Sequence, residues 1–443
     1  MKKKFFNLNF LDTVITHIKK KTIIISIIIL VSFFFFLGFY RDYKLNTQNN
    51  SQANHLVEID NSEITGYKNN KINWKITAKQ IWAGHNRDIL TAENILNGQV
   101  FDDYGKVIIK NFQAESIIMN RYSKSLSGEK INCLLSNRKS IKNNNVLEAY
   151  EDKNQTLNIK SNAMRYFGDS KKTYFYNGVI LTQGKSKIFT ETIEVDNEKN
   201  IAYLDRPFRM QGTDFTVSGN QMIIYIDDEY SELMGNISGF RPGTVIKNMA
   251  IDERERLLKA KNTYLKCDYL KYITKNDADF VELKGNIVIS QNDKSIAGDI
   301  GSYDNKNNLF ILNSNIKLNA ENLYWLIKKQ KRNALKNGEI KKSLGLATTL
   351  NADKIIFDAK KKIANVIGNI LITQKDKEIN ADQMNYDDSK NLVTLLGNVK
   401  IVREKTDKLT CQLVEINLDK EEFYVEQNVE SQFVIKKKKN KKQ

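Results

Sequence analysis

Histidine, proline and cysteine are all scarce in this chain of 443 residues, and each scarcity excludes something. With only His17, His55 and His85 available, a histidine-based triad or metal centre has too few members. The three cysteines, Cys133, Cys267 and Cys411, cannot staple a disulfide scaffold, and no Cys/His cluster has zinc spacing. The two prolines, Pro207 and Pro242, fall far below the roughly 5% average. Proline cannot donate to a ladder, so its rarity suits a chain whose backbone N–H groups are nearly all needed for strand pairing. No nucleophile–base pair or Gly-rich phosphate loop can be named either, so the sequence offers no catalytic residue, no metal site and no cofactor.

A basic folded face is also missing. The formal charge is +17, but residues 1–21 carry +5 of it and Lys436–Lys442 carry +6. The body between is nearly balanced, which gives nucleic acid no electrostatic footprint. What remains is 41% hydrophobic and 27% charged, the composition of a folded, water-exposed protein.

Residues 22–40, TIIISIIILVSFFFFLGFY, are nineteen positions without a charge or a proline. At about 1.5 Å per residue they cover most of a ~30 Å hydrocarbon layer. The run is longer than the apolar part of a signal peptide, and Phe39-Tyr40-Arg41-Asp42 offers no small-residue cleavage site. The expectation is therefore one uncleaved transmembrane helix behind a basic cytoplasmic tail (1–21). The lysines ahead of the run put the N-terminus in the cytoplasm and the bulk outside it. The polar stretch within 41–55 reads as a tether.

One phrase then recurs: apolar, any, small, polar or acidic, any, apolar, any, apolar. It reads LNADKIIF at Leu350–Phe357 and INADQMNY at Ile379–Tyr386. Further copies begin at Ile159, Ile188, Val217, Leu265, Leu318 and Leu409, often about thirty residues apart. Apolar positions at i, i+2, i+5 and i+7 lie on no single helix face; they describe a strand whose pleat slips by one, which requires a bulge or bend. The small residue sits at the bend, and the Asp or Glu after it points outward rather than forming a catalytic pair. Cys267 and Cys411 occupy this small slot, which predicts buried thiols, whereas Cys133 fits no copy. Roughly sixteen residues after the small slot comes a second cue, as in Gly368-Asn369-Ile370 and Gly397-Asn398-Val399. It reads as a turn or bulge after which the strand resumes. The predicted fold is all-β: an elongated jelly roll of stacked, bent antiparallel strands following the membrane helix. The expected divisions are a first jelly roll at 56–240, a polar insertion at 241–262, a second at 263–435 and a Lys-rich tail at 436–443. Lys328 to Leu346 reads as a loop on the rim.

These residues carry a resemblance. The A-D-x-M-x-Y copies and G-N-V cues resemble the repeats of LptA, within the OstA-like family of lipopolysaccharide-transport proteins. The anchor, with Trp74 and Ala78 in N-W-K-I-T-A, is similar to the start of LptC, and the stretch from Leu204 to Ile237 is similar to its end. The chain departs in length, since it continues from one such unit into a second. The resemblance implies an inner-membrane-anchored protein, with its bulk in the periplasm, that takes lipopolysaccharide from an ABC transporter. It implies passage along an apolar groove toward the outer membrane, with an LptA-like or outer-membrane OstA-domain partner added at an edge strand. The groove candidates are the last two apolar residues of each copy: Met164, Tyr166, Ile193, Val195, Met222, Ile224, Leu270, Tyr272, Leu323, Trp325, Ile355, Phe357, Met384 and Tyr386. A dry core accounts for them equally well at this point, and an anchored structural or adhesive β-array without lipid is the alternative function.

Overall fold

The computed structural model describes residues 57–68, 70–86, 88–137, 157–244, 256, 259–273, 279–326, 339–404 and 406–433. The apolar run at 22–40, the tether and the Lys-rich tail lie outside the described residues, as do most of the charged stretch 252–256 and residues 328–338.

Twenty-four strands are described, and they form a meander. The first array comprises β1 (Val57–Lys68), β2 (Lys71–Ala83), β3 (Ile89–Phe101), β4 (Val107–Asn120), β5 (Ser125–Leu135), β6 (Leu157–Phe167), β7 (Lys172–Gln183) and β8 (Ser186–Asp196). It continues through β9 (Ile201–Leu204), β10 (Phe208–Gln211), β11 (Thr216–Gly219), β12 (Gln221–Tyr225) and β13 (Tyr230–Arg241). The second comprises β14 (Thr263–Ile273), β15 (Phe280–Gln291), β16 (Lys294–Asp304), β17 (Leu309–Ala320), β18 (Thr348–Asp358), β19 (Ile363–Gln374) and β20 (Lys377–Asp387). It ends with β21 (Leu392–Arg403), β22 (Asp407–Asn417), β23 (Glu422–Glu426) and β24 (Glu430–Gln432). Between β17 and β18 lie a 3-10 turn at Tyr324–Leu326 and α1 (Glu339–Leu344), and Arg256 and Lys259 are also helical. No described helix is long and apolar enough to cross a membrane.

Successive strands pair antiparallel from β1 to β22, except that β9 does not pair with β10 nor β11 with β12. β9 and β10 are the two arms of one strand, both paired to β8 and interrupted where Pro207 removes a donor. The ladder crosses from β13 to β14 without a gap, Tyr230 opposite Ile273 and Arg241 opposite Thr263. The connection between β13 and β14 thus leaves the sheet continuous, and one apolar core runs from Ile76 to Val414.

The bend predicted at the small residue is there, and it has two sides. Opposite β18, between the pairs Asn351–Leu371 and Lys354–Ile367, Ala352-Asp353 faces Gly368-Asn369-Ile370. Two residues against three is a β-bulge. The same mismatch recurs with Ala381-Asp382 against Gly397-Asn398-Val399, and with Cys267-Asp268 against Gly285-Asn286-Ile287. The two sequence cues are therefore halves of one structural feature. Of the two readings of G-N, turn or bulge, the structure has the bulge, in mid-strand. Gly368 and Asn369 both lie in the left-handed region (φ 79° and 45°), which explains the choice of those two residue types. The inward slot admits only a small side chain: Ala352, Ala381, Cys267 and Cys411 are all buried.

The copy at Leu318–Trp325 is a correction. β17 ends at Ala320, and its bulge lies earlier, where Ser314-Asn315-Ile316 faces Gly298-Asp299. Bends must line up across neighbours for the ladder to continue, so a local match out of step is not one. Leu323 and Trp325 consequently belong to the connection after β17.

Candidate functional site, an apolar trough between two rims

Each bent strand puts one arm in each of two facing walls, and the connections gather along two rims. One rim carries the turns at 121–124, 168–171, 197–200 and 388–391. The other carries 102–106, 292–293 and the long connections 136–156, 242–262 and 321–347.

The bends are clamped on the outside. Asn286, Asn315, Asn369 and Asn398 each donate from Nδ2 to Asp268, Asp299, Asp353 and Asp382, at 2.8, 2.6, 2.9 and 2.8 Å. This bond is the physical origin of the sixteen-residue offset between the two cues, and it assigns these recurring carboxylates to structure. Asn369→Ala should cost about 1–2 kcal/mol, since it loses a charge-assisted bond and leaves a Cβ residue in the left-handed region. Asn369→Gly should cost less because it removes only the bond. Chemical denaturation of the two variants separates the contributions.

The interior differs between the arrays. In the first, the groove candidates are packed away: Met164, Tyr166, Ile193, Val195, Met222 and Ile224 are all buried. Phe175, the largest fully buried side chain, shows no exposure. The rims above them are stitched together. Tyr166 donates to Asn73 Oδ1 at 3.2 Å, and Lys171 is ion-paired with Asp103. Asn200 donates to the Ser136 carbonyl at 3.0 Å, and Asn137 to Glu229 at 3.0 Å. Each contact joins residues about 60–90 apart in sequence, so no local pattern foretells them. A narrow apolar pocket persists among Trp74, Val100, Phe112 and Met164.

In the second array Leu270 and Ile355 are buried, but among the described residues the outer parts of the strands are less covered. Tyr272, Ile296, Phe310, Ile379 and Met384 are half-buried against the core, and Phe357 at the rim is 41% exposed. These apolar side chains thus continue the core of the first array with less of their surface covered among the described residues. Tyr386 lies at the rim, where its hydroxyl meets the Leu326 carbonyl at 2.7 Å. Leu323 packs into the same small cluster, and Trp325 lies under Lys294, whose Nζ is 5.5 Å from the ring centre.

The three cysteines are unbridged and buried, two in bend slots and Cys133 on β5. Burial pushes the Cys267 thiol up to about 12 and raises Cys133 and Cys411 as well. Burial, with Glu232 nearby, lifts the phenols of Tyr225 and Tyr269 to about 12. Groups raised in the folded state leave stability intact below their unfolded values, about 8.5 for thiol and about 10 for phenol, and lose it progressively above them. The denaturation midpoint should therefore hold up to about pH 8 and fall by pH 10.5. A midpoint unchanged at pH 10.5 would contradict the burial of these groups.

Two family profiles match this chain. Residues 104–240 match the LptC-related lipopolysaccharide-assembly family, and residues 378–443 match the LptA/(LptD N-terminal domain) lipopolysaccharide transport family. Among solved structures the chain is similar to LptH, the LptA-homologous periplasmic component of the lipopolysaccharide transport device of Pseudomonas aeruginosa. That likeness has 9% identity and a TM-score of 0.20, covering 28% of this chain and 82% of the other. No curated protein matches the sequence. An LptC-related segment thus precedes an LptA/LptD-related one in the same chain, and both matched families are of lipopolysaccharide assembly and transport. Both matched families are transport and assembly proteins rather than enzymes.

Proposed function

We propose that this protein is an inner-membrane-anchored conveyor of lipopolysaccharide across the periplasm, and that the second array is its conduit. The run at 22–40 is the anchor, and an ABC transporter in the same membrane supplies the lipid. An LptA-like or OstA-domain partner continues the path by adding a strand beside β23, among the last described strands, where Phe423 and Tyr424 are exposed.

The observation that carries this reading is the row of half-buried apolar side chains from Tyr272 to Met384 along one open trough. Acyl chains cannot cross water exposed, because each sheltered CH₂ is worth about 0.8 kcal/mol. A trough open along one seam shelters the chains and leaves the sugar outside. A structural or adhesive array would have no use for an uncovered apolar interior.

The test places a photoactivatable benzoylphenylalanine at Ile296 or Met384, inside the trough, and at the exposed, outward Lys400. Irradiation with lipopolysaccharide should give adducts from both inner positions and few from Lys400. Equal labelling from all three, or none from any, would sink the conduit.

A further inference from the structure

Strand alternation turns four isoleucines to the outside of one wall of the second array. Gly301, Leu312, Ile355 and Val366 are buried, so their neighbours Ile300, Ile311, Ile356 and Ile367 face outward on β16 to β19. Ile311 stands opposite Ile356, while Ile300 stands opposite Asn313 and Ile367 opposite Lys354, each diagonal to that pair. Ile300 and Ile367 are 49% and 39% exposed. In the first array the same outward row begins Arg165, Tyr174, Glu194 and Tyr203, so the apolar patch is a feature of the second array. Beside the patch, on β15, the two outward positions are Glu282 and Lys284, and on β14 they are Lys271 and Tyr269.

We propose that this patch pairs the protein with a second copy of itself, wall against wall, with both arrays pointing the same way from the membrane. The direction rests on reading residues 22–40 as the anchor, because two copies held in one membrane leave it in parallel. Stacked sheets pack about 10 Å apart with their strands within about 30° of each other. A two-fold axis running along the array then sets each strand against its own counterpart and exchanges its two outward rows. Ile300 meets the partner's Ile311, and Ile356 meets the partner's Ile367, each contact occurring twice. Charge selects the same direction. Exchange of rows sets Glu282 against the partner's Lys284, and Tyr269 against the partner's Lys271, a cation over a ring. Reversing one copy would bring Ile300 onto the partner's Ile367 equally well. It would, however, set Glu282 and Lys284 against the partner's Asn385 and the partner's Gln383, with no ion pair formed.

The test uses the full chain in lipid vesicles, with two differently tagged populations mixed and treated with a short bismaleimide. One population carries Ile300→Cys, and the other carries either Ile311→Cys or Ile367→Cys. These positions face outward, so the core is untouched, and the buried native thiols compete little. Crosslinked dimer should form about tenfold faster from the 300/311 pair, because parallel stacking holds positions 300 and 367 three strands, about 14 Å, apart along the array. Glu282→Lys should lower the 300/311 yield about tenfold by setting lysine on lysine twice, and adding Lys284→Glu should restore it. Faster linking of the 300/367 pair, or a yield indifferent to Glu282→Lys, would overturn the parallel pairing. No dimer from either pair, alongside lipopolysaccharide adducts from benzoylphenylalanine at Ile296 and Met384, would overturn the pairing and leave the conduit standing. Dimer from the 300/311 pair without such adducts would keep the pairing and sink the conduit.

Discussion

Replacing Met384 by aspartate should leave the protein folded and abolish lipid contact, whereas the same change at Met164 should prevent folding. The two methionines hold the same position in the repeat. Met164 is 3% exposed inside a stitched, filled roll, with Phe175 opposite it across the β6–β7 pair. An unpaired carboxylate at a fully buried site is held up to 3–5 pKa units above its usual value, at about 1.4 kcal/mol per unit. At neutral pH that is a loss on the order of 4 kcal/mol or more, a large share of the 5–15 kcal/mol that folded domains possess. Met384 is half-buried in the open trough, so its replacement can stay hydrated and cost about 1 kcal/mol. Acyl chains passing that point would have to desolvate the charge, and photoadducts from a reporter at Ile296 should then accumulate upstream. Circular dichroism and denaturation of the two variants provide the folding comparison. Similar destabilisation by both would mean that the second array is as closed as the first.

The other large effect is expected at the bulges. Gly397 has φ 71°, and an added Cβ would lie 2.5 Å from Asp382 Oδ2 and 3.0 Å from its Cβ. Gly397→Val therefore combines a β-branched residue in the left-handed region with the eviction of the clamp carboxylate. The expected loss is about 2–4 kcal/mol. Because strands in such an array contact mainly their neighbours, the damage should be regional. Hydrogen exchange should show β20–β22 losing protection while β2–β8 keep theirs. Gly84→Val serves as the control: in the β2–β3 turn nothing lies within 4 Å of where its Cβ would stand, and little change is expected. Uniform loss of protection along the whole chain would argue that the arrays melt as one unit.

Much of this fold is legible locally because a bent strand writes its bend into adjacent residues. Small-then-acidic and Gly-then-Asn mark the two sides of each bulge, and buried slots at Ala352, Ala381 and Cys267 follow from the parity slip alone. What local reading missed was the pairing of the two cues with each other. Asp353 and Asn369 meet only once β18 and β19 are in register, so the second cue by itself left turn and bulge both open. The spurious copy at Leu318 failed for the same reason: the pattern matched, but the neighbouring strands bend elsewhere.

The sequence by itself determined the strand type, the repeated bend, the inward apolar rows and the outward carboxylates, because each depends on side-chain alternation within a dozen residues. The tertiary structure alone decided which stretch of the interior is sealed and which is open. That choice depends on contacts between rims, such as Lys171 with Asp103 and Tyr386 with the Leu326 carbonyl, made by residues dozens of positions apart. Only the coiling of the two walls toward each other brings such residues together.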